Sequence, residues 1–194
     1  MSDSALIIFV KNPELGKVKT RLAKTIGDEL ALAVYNKLIA YTQRETAQTN
    51  ADVVVYYSSS VDEQDDWEGV DKKVQSSGDL GEKMATAFAA ELASYQKVCI
   101  IGTDCAQLTK SIVEQAFTAL DTHDYVFGPA NDGGYYLMGM KTHTPELFEN
   151  MEWSTERVLS ASLSRIAPKS YHLLPELIDV DTIGDWEKVM ENFE

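Results

Sequence analysis

Cysteine is nearly missing from this chain: Cys99 and Cys105 are the only two in 194 residues. Their separation of six positions matches neither a C-x-x-C redox pair nor a zinc spacing, so reduced thiols and no disulfide are expected. Long apolar runs are missing too. The one nearest the start, residues 5–10, follows Asp3 without a basic flank and ends at Lys11, too short for a span or an export signal. The expectation is a cytoplasmic protein with no membrane partner. Basic side chains are scarce, 17 against 31 acidic ones, and the net charge of −14 repels polyanions and argues against nucleic acid. His123, His143 and His172 are scattered without ligand spacing, and no Ser/His/Asp or Cys/His arrangement supports covalent nucleophilic catalysis.

What is present is ordinary for a globular chain, 44% hydrophobic and 25% charged, and its length suits a single domain over residues 1–194. Short apolar runs alternate with segments of helical period, which predicts an α/β fold with crossover helices on a mostly parallel sheet. Strands are expected at residues 5–10, 51–57, 73–76, 98–102, 125–129, 135–140 and 170–174. Between the first two, Ile26, Leu30, Val34, Leu38 and Tyr41 recur at intervals of four, four, four and three, the apolar stripe of a helix packed on the sheet. Similar stripes start at Met84, Ile112 and Leu159. Ser154 is expected to N-cap a helix over residues 155–167, and Thr182 with Asp185 to form a capping box. Residues 61–71, rich in Asp and Glu, read as a solvated connection.

Against this background one segment stands out. Lys11, Lys17, Lys19, Arg21 and Lys24 fall within fourteen positions that hold a single acid, Glu14, so this segment carries +4 and the rest of the chain −18. It follows a strand, precedes a helix and is shaped by Pro13 and Gly16. α/β folds bind anions at that position, so a phosphate-rich ligand is expected there. The loop is not a Walker A loop: Val18 follows Gly16-Lys17, and Lys11 stands at the upstream glycine position. No G-x-G-x-x-G is present either, which excludes a dinucleotide-binding fingerprint.

Three further motifs carry carboxylates. Ile100-Ile101-Gly102-Thr103-Asp104 is a strand that delivers one Asp as the chain leaves the sheet. Mg²⁺ needs only one or two protein carboxylates, so Asp104 could bind a metal; it could equally cap a turn. Asp179 and Asp181 point the same way if their segment is extended, and either could be the second ligand. In the segment Gly128-Pro129-Ala130-Asn131-Asp132-Gly133-Gly134-Tyr135-Tyr136-Leu137, two strands flank a turn whose paired glycines would let the backbone approach an acceptor beside Asp132. Trp153-Ser154-Thr155 reads as a helix start, with lining of an acceptor pocket as the second reading.

These motifs in this order resemble a bacterial family of GT-A-fold, nucleotide-diphospho-sugar transferase-like proteins, often labelled glycosyltransferase and sometimes linked to arsenosugar synthesis. The pattern comprises Lys11-x-Pro13-x-x-Gly16-x-Val18-Lys19-Thr20-Arg21-Leu22, Gly102-Thr103-Asp104-Cys105, the Asp132-Gly133-Gly134 turn, Trp153-Ser154-Thr155 and Asp179-x-Asp181-Thr182. It runs from about residue 5 to 190. More distantly it is similar to phospholactate and molybdenum-cofactor guanylyltransferases. The resemblance implies a three-layer Rossmann-like fold and a metal-dependent transferase that moves a glycosyl or nucleotidyl group from a nucleotide sugar or nucleoside triphosphate to a small-molecule acceptor. It also implies roles. Lys11, Gly16, Lys19 and Arg21 would meet phosphates, Asp79 and Gly81 would lie near the base, and Asp104 with Asp181 would hold Mg²⁺ or Mn²⁺. Lys19, Arg21 and Asp104 would be catalytic, and Asp132, Gly133, Gly134, Ser154 and Thr155 would face the acceptor. Ala106 and Ile183-Gly184 depart from the common Pro and Pro-Glu of the family, which leaves a catalytically inactive nucleotide-binding protein as the alternative. A homodimer is compatible with the sequence but nothing in it requires one.

Overall fold

The computed structural model describes residues 2–193. Seven strands form one sheet in the order β3-β2-β1-β4-β6-β5-β7. They are β1 (Ser4–Val10), β2 (Asp52–Tyr57), β3 (Asp71–Val74), β4 (Lys97–Ile101), β5 (Tyr125–Pro129), β6 (Tyr135–Met140) and β7 (Tyr171–Leu173). All run parallel except β6, which is antiparallel to both neighbours, β4 and β5. The central strands β1 and β4 are apolar at every interior position because helices cover both faces, as a parallel sheet requires.

Five α-helices lie in the connections between strands, α1 (Thr20–Ile26), α2 (Asp28–Thr46), α3 (Leu80–Leu92), α4 (Lys110–Thr122) and α5 (Val158–Ile166), and α6 (Ile183–Val189) follows the last strand. On one face Leu6, Ile8 and Val10 of β1 pack with Val113, Ala116 and Leu120 of α4 and with Ile39 of α2. On the other, Ala5 and Ile7 pack with Met84, Ala87 and Phe88 of α3 and with Ile166 of α5. The alternation along β1 thus feeds two cores and makes the three-layer architecture. A third cluster, with Leu22, Val34, Leu38, Ala106, Val180 and Val189, ties α1 and α2 to α6 beside the sheet. Among the described residues no helix is long and apolar enough to cross a membrane.

The expected strands all form, β5 and β6 with the expected bounds and the others with ends moved by at most two residues; the largest change is at β3, which starts at Asp71 rather than Lys73. The expected apolar stripe between β1 and β2 spans two helices rather than one. Gly27, at φ 85°, ends α1 by donating to the Ala23 carbonyl and begins α2 by accepting from the Ala31 amide. This break rotates the register, so Leu30 is 60% exposed and Ala31 takes the buried position. Ser154 does not cap α5: it sits at φ 61°, and the helix begins three residues past the expected start, at Val158. The Thr182 and Asp185 capping box forms as expected. The acidic connection is only partly solvated, because Trp67 is buried and Asp65 accepts from Lys72 at 2.6 Å and from the Tyr57 hydroxyl.

Candidate functional site

The chain leaves β1 toward β2 on one side of the sheet, and β4 pairs with β1 on the other, so a crevice opens beyond the C-terminal ends of β1 and β4. Ligands of open α/β sheets bind at such a switch point. A cleft of about 610 Å³ occupies it. One wall is the basic loop, the floor is Gly102, Thr103 and Asp104 just past the end of β4, and the far wall comes from β6, the Trp153 segment and the Asp179 to Asp181 segment.

The loop is anchored before it reaches the cleft. The Tyr35 hydroxyl on α2 accepts from the Lys11 amide at 3.0 Å, donates to the Lys11 carbonyl at 3.1 Å and accepts from Thr103 Oγ1 at 3.1 Å. Asn12 binds the Ser58 hydroxyl and the Ser59 amide, linking the loop to the segment after β2. Burial pushes the Tyr35 hydroxyl pKa up, so it remains a neutral double-purpose partner. A Tyr35→Phe variant leaves three polar groups without that partner and is expected to lose about 2 kcal/mol of stability in urea denaturation.

At the centre of the cleft lies Lys19. Its backbone is left-handed, φ 47° and ψ 43°, and its side chain is 4% exposed. The ammonium lies 2.6 Å from Asp104 Oδ1, 2.7 Å from the Val180 carbonyl and 3.8 Å from Asp181 Oδ1. Arg21, exposed at the rim, binds Asp181 Oδ2 at 2.9 Å. Lys17 pairs with Glu14 at 2.5 Å. Among the described residues, two cleft-lining cations have no carboxylate partner: Lys11, and Lys83 on α3.

Asp179 is the most perturbed acid. An isolated bridge pairs it with Cys105, and the Val180 amide donates to the Asp104 carbonyl, which fixes this acidic segment against the chain leaving β4. Burial, then the charge of Asp104, raises its pKa from 3.8 to about 7, against the opposing pull of Lys19. Below pH 4 Asp179 is protonated in both states. As pH rises from about 4 to about 7 the unfolded chain ionises it first, so stability falls and then levels off. An Asp179→Asn variant is expected to lack this decline, a difference of roughly 1–3 kcal/mol between pH 5 and pH 8 once its partial exposure is discounted, measurable by urea denaturation.

The donor set suits a hard cation. Asp104 and Asp181 each direct a carboxylate oxygen toward the Lys19 ammonium, at 2.6 and 3.8 Å, so two hard oxygen donors flank one cation position. Among the described residues no three His, Cys, Asp or Glu side chains converge on one point. The fit is therefore to an ion held by one or two carboxylates, with water and phosphate oxygens completing its shell.

Of the residues singled out from the sequence, Lys11, Lys19, Arg21, Asp104, Asp132, Gly134, Ser154, Thr155, Asp179 and Asp181 line this cleft. Gly16, Asp79, Gly81 and Gly133 do not, and the structure gives each another task. Gly16, at φ 74°, turns the loop beside Asp28. Asp79 caps α3 in a reciprocal box with Glu82. A Cβ on Gly81 would lie 2.7 Å from both the Phe148 carbonyl and Trp153 Nε1, and one on Gly133 would lie 2.2 Å from the Glu156 carbonyl. At both glycines the close approach of neighbouring chain leaves no space for a Cβ. Sequence reasoning missed Tyr35 and Lys83. Tyr35 lies on the buried stripe of a helix and reads as core, and Lys83 is a single charge with no pattern around it. Ala106, where the related pattern has Pro, is fully buried, and its carbonyl accepts from Asn192.

No curated protein matches the sequence. Among solved structures, the provisionally named nucleotide-diphospho-sugar transferase of Desulfovibrio desulfuricans G20 is 32% identical, with a TM-score of 0.88 over 95% of this chain and 85% of that one. The inositol-1-phosphate CTP transferase of T. maritima is 12% identical, with a TM-score of 0.62 over 98% of this chain and 94% of that one. Rv0371c of Mycobacterium tuberculosis H37Rv, solved in complex with manganese, is 10% identical, with a TM-score of 0.58 over 97% and 98%. The last two share the fold alone. A family model covers residues 41–155, more than half of the chain, and with the D. desulfuricans relative it bears out the resemblance carried by the motifs: the chain belongs to the family described as "Uncharacterized protein conserved in bacteria (DUF2064)" and has a nucleotide-diphospho-sugar transferase fold.

Proposed function

We propose that this chain is a transferase that takes a nucleotide donor, a nucleoside triphosphate or a nucleotide sugar, and modifies a small-molecule acceptor with the help of Mg²⁺ or Mn²⁺. The observation that carries the reading is the meeting, at the sheet's switch point, of a cation-rich loop with the strand-end acids Asp104 and Asp181. Asp104 and Asp181 would hold the metal, which when bound supplies positive charge to phosphate oxygens. Lys11 and Arg21 orient the donor phosphates and neutralise charge on the departing pyrophosphate or nucleoside diphosphate. Lys83 stands across the cleft, where a negatively charged part of either substrate would reach it. Asp132, whose carboxylate is held by the Gly134 amide at 2.8 Å, sits with Ser154 and Thr155 on the acceptor side. The same cradle serves attack at phosphorus and attack at a sugar carbon.

The alternative of a nucleotide-binding protein without turnover rests on Ala106 and on Ile183-Gly184. Ala106 is fully buried in the α1, α2 and α6 cluster, and Ile183-Gly184 opens α6 behind an intact capping box. Neither displaces a carboxylate from the cleft, so no observation favours that reading.

The test is a thermal-shift panel of nucleoside triphosphates and nucleotide sugars, each with and without Mg²⁺. A ligand at 100 times its Kd stabilises the native state by about 2.7 kcal/mol. For a chain of this size that is a rise in Tm of roughly 5–10 °C, larger with Mg²⁺ than without. No shift with any nucleotide would overturn the reading.

A further inference from the structure

Lys19 holds the least accessible cation of the cleft and the one with the most partners. Its stem is 4% exposed, and the left-handed backbone that aims it inward is uncommon for a residue with a side chain. The ammonium donates to the Val180 carbonyl at 2.7 Å, forms an ion pair with Asp104 Oδ1 at 2.6 Å, and has Asp181 Oδ1 3.8 Å away. Lys11 and Lys83 have no such ties. The loop's central lysine is therefore spent on protein oxygens while its neighbours are available to an anion.

We infer that Lys19 is the built-in counter-ion of the acidic strand ends, occupying the point between Asp104 and Asp181 that a divalent cation would take, so that metal and lysine compete for the same oxygens. This rests on the metal-dependent reading above and goes beyond it. It makes Lys19 a positioning residue that keeps the two carboxylates together and sets how readily a metal enters, in place of a fixed phosphate ligand. Competition follows from charge and geometry together. Two cations beside the same carboxylates repel each other, and the ammonium at 2.6 Å from Asp104 already neutralises the charge that an ion at about 2.1 Å would use. A metal between the two carboxylates would displace the Lys19 ammonium, and phosphate oxygens arriving with that metal would be new partners of the right charge.

The test is a Mn²⁺ titration of the full-length chain without nucleotide, followed by the electron paramagnetic resonance of free Mn²⁺, for wild type, Lys19→Met and Lys19→Arg. The expected result is binding at least tenfold tighter in Lys19→Met, with Lys19→Arg near wild type. A thermal melt gives an independent readout: Mn²⁺ should raise the Tm of Lys19→Met by more than it raises that of wild type. If Lys19→Met does not fold, Lys19→Gln is read in its place. Equal or weaker Mn²⁺ binding by the neutral variant overturns the inference and leaves the metal reading standing. Absence of Mn²⁺ binding in every form, with the variants folded, overturns both.

Discussion

An Asp104→Asn variant should lose the Mg²⁺-dependent part of nucleotide binding while keeping its fold. The carboxylate sits at the end of β4 and is 44% exposed, so its own contribution to stability is small, on the order of 1 kcal/mol or less. What it does hold is the Lys19 ammonium and, in the proposed reading, the metal. Replacing a charged oxygen by a carbonyl of the same shape removes the ionic attraction and keeps the volume. Metal affinity is expected to fall by at least roughly 100-fold, since losing even a supporting group of a metal ligand costs 10- to 100-fold. Release of nucleoside diphosphate or pyrophosphate from the donor should fall by about 10²- to 10³-fold, as when one preorganised electrostatic group is removed from a charge-developing site. The decisive measurement compares thermal shifts with nucleotide alone and with nucleotide plus Mg²⁺. In the variant the two should coincide. A Mg²⁺ increment of wild-type size would show that Asp104 does not hold the metal.

The parts of this molecule that could be read from the sequence are those in which one residue type has one physical use. Strands β1 and β4 are runs of branched aliphatic residues with no helical period, and covering helices on both faces are the one arrangement that buries such a run. The Thr182 and Asp185 pair could be read because both halves of a capping box are local. The Ile26 to Tyr41 stripe misled where a local event intervened. Gly27 fits a helical pattern on the page, but its positive φ splits the segment and moves Leu30 to the surface. Ser154 misled for the opposite reason. It has the right chemistry for an N-cap, yet its own backbone is left-handed, φ 61°, so the hydroxyl cannot take the cap position, and α5 starts three residues later than expected.

Charge density found the basic loop, but it could not say which lysine would be free. That depends on Asp104 and Asp181, which are 85 and 162 positions away from Lys19 and meet it through the pairing of β1 with β4 and the return of the chain at Val180. The acidic partner showed the same limit. Both Asp179 and Asp181 line the cleft, and the structure divides their work: Asp181 pairs with Arg21 and lies 3.8 Å from Lys19, whereas desolvation and the charge of Asp104 raise the pKa of Asp179 to about 7. Spacing gives two side chains the same face of an extended strand, but burial then makes one a partner of cations and the other a reluctant acid.

Glycine in the Asp132 turn separates function from packing most sharply, because two adjacent glycines carry different loads. A Gly133→Ala variant should be destabilised by about 3–5 kcal/mol. Its φ of 86° is a conformation that costs an L-residue about 1–2 kcal/mol, and its Cβ would lie 2.2 Å from the Glu156 carbonyl oxygen and 2.6 Å from two more backbone atoms of that residue. Backbone cannot rotate away as a side chain can, so the segment before α5 must shift. That shift also threatens the bond in which the Leu159 amide donates to the Gly133 carbonyl at 3.0 Å. At roughly 2–4 °C per kcal/mol for a chain of this size, Tm should drop by roughly 6–20 °C. Gly134→Ala is the matched control. It lines the cleft, has no positive φ, and its Cβ would meet only the Asp132 carboxylate, at 3.1 Å. It should melt within a few degrees of wild type and act instead on acceptor use, by crowding Asp132. If both variants melt alike, the close approach of residue 133 to Glu156 is not what the glycine is for. A stable Gly133→Ala that no longer accepts substrate would return that glycine to the acceptor site.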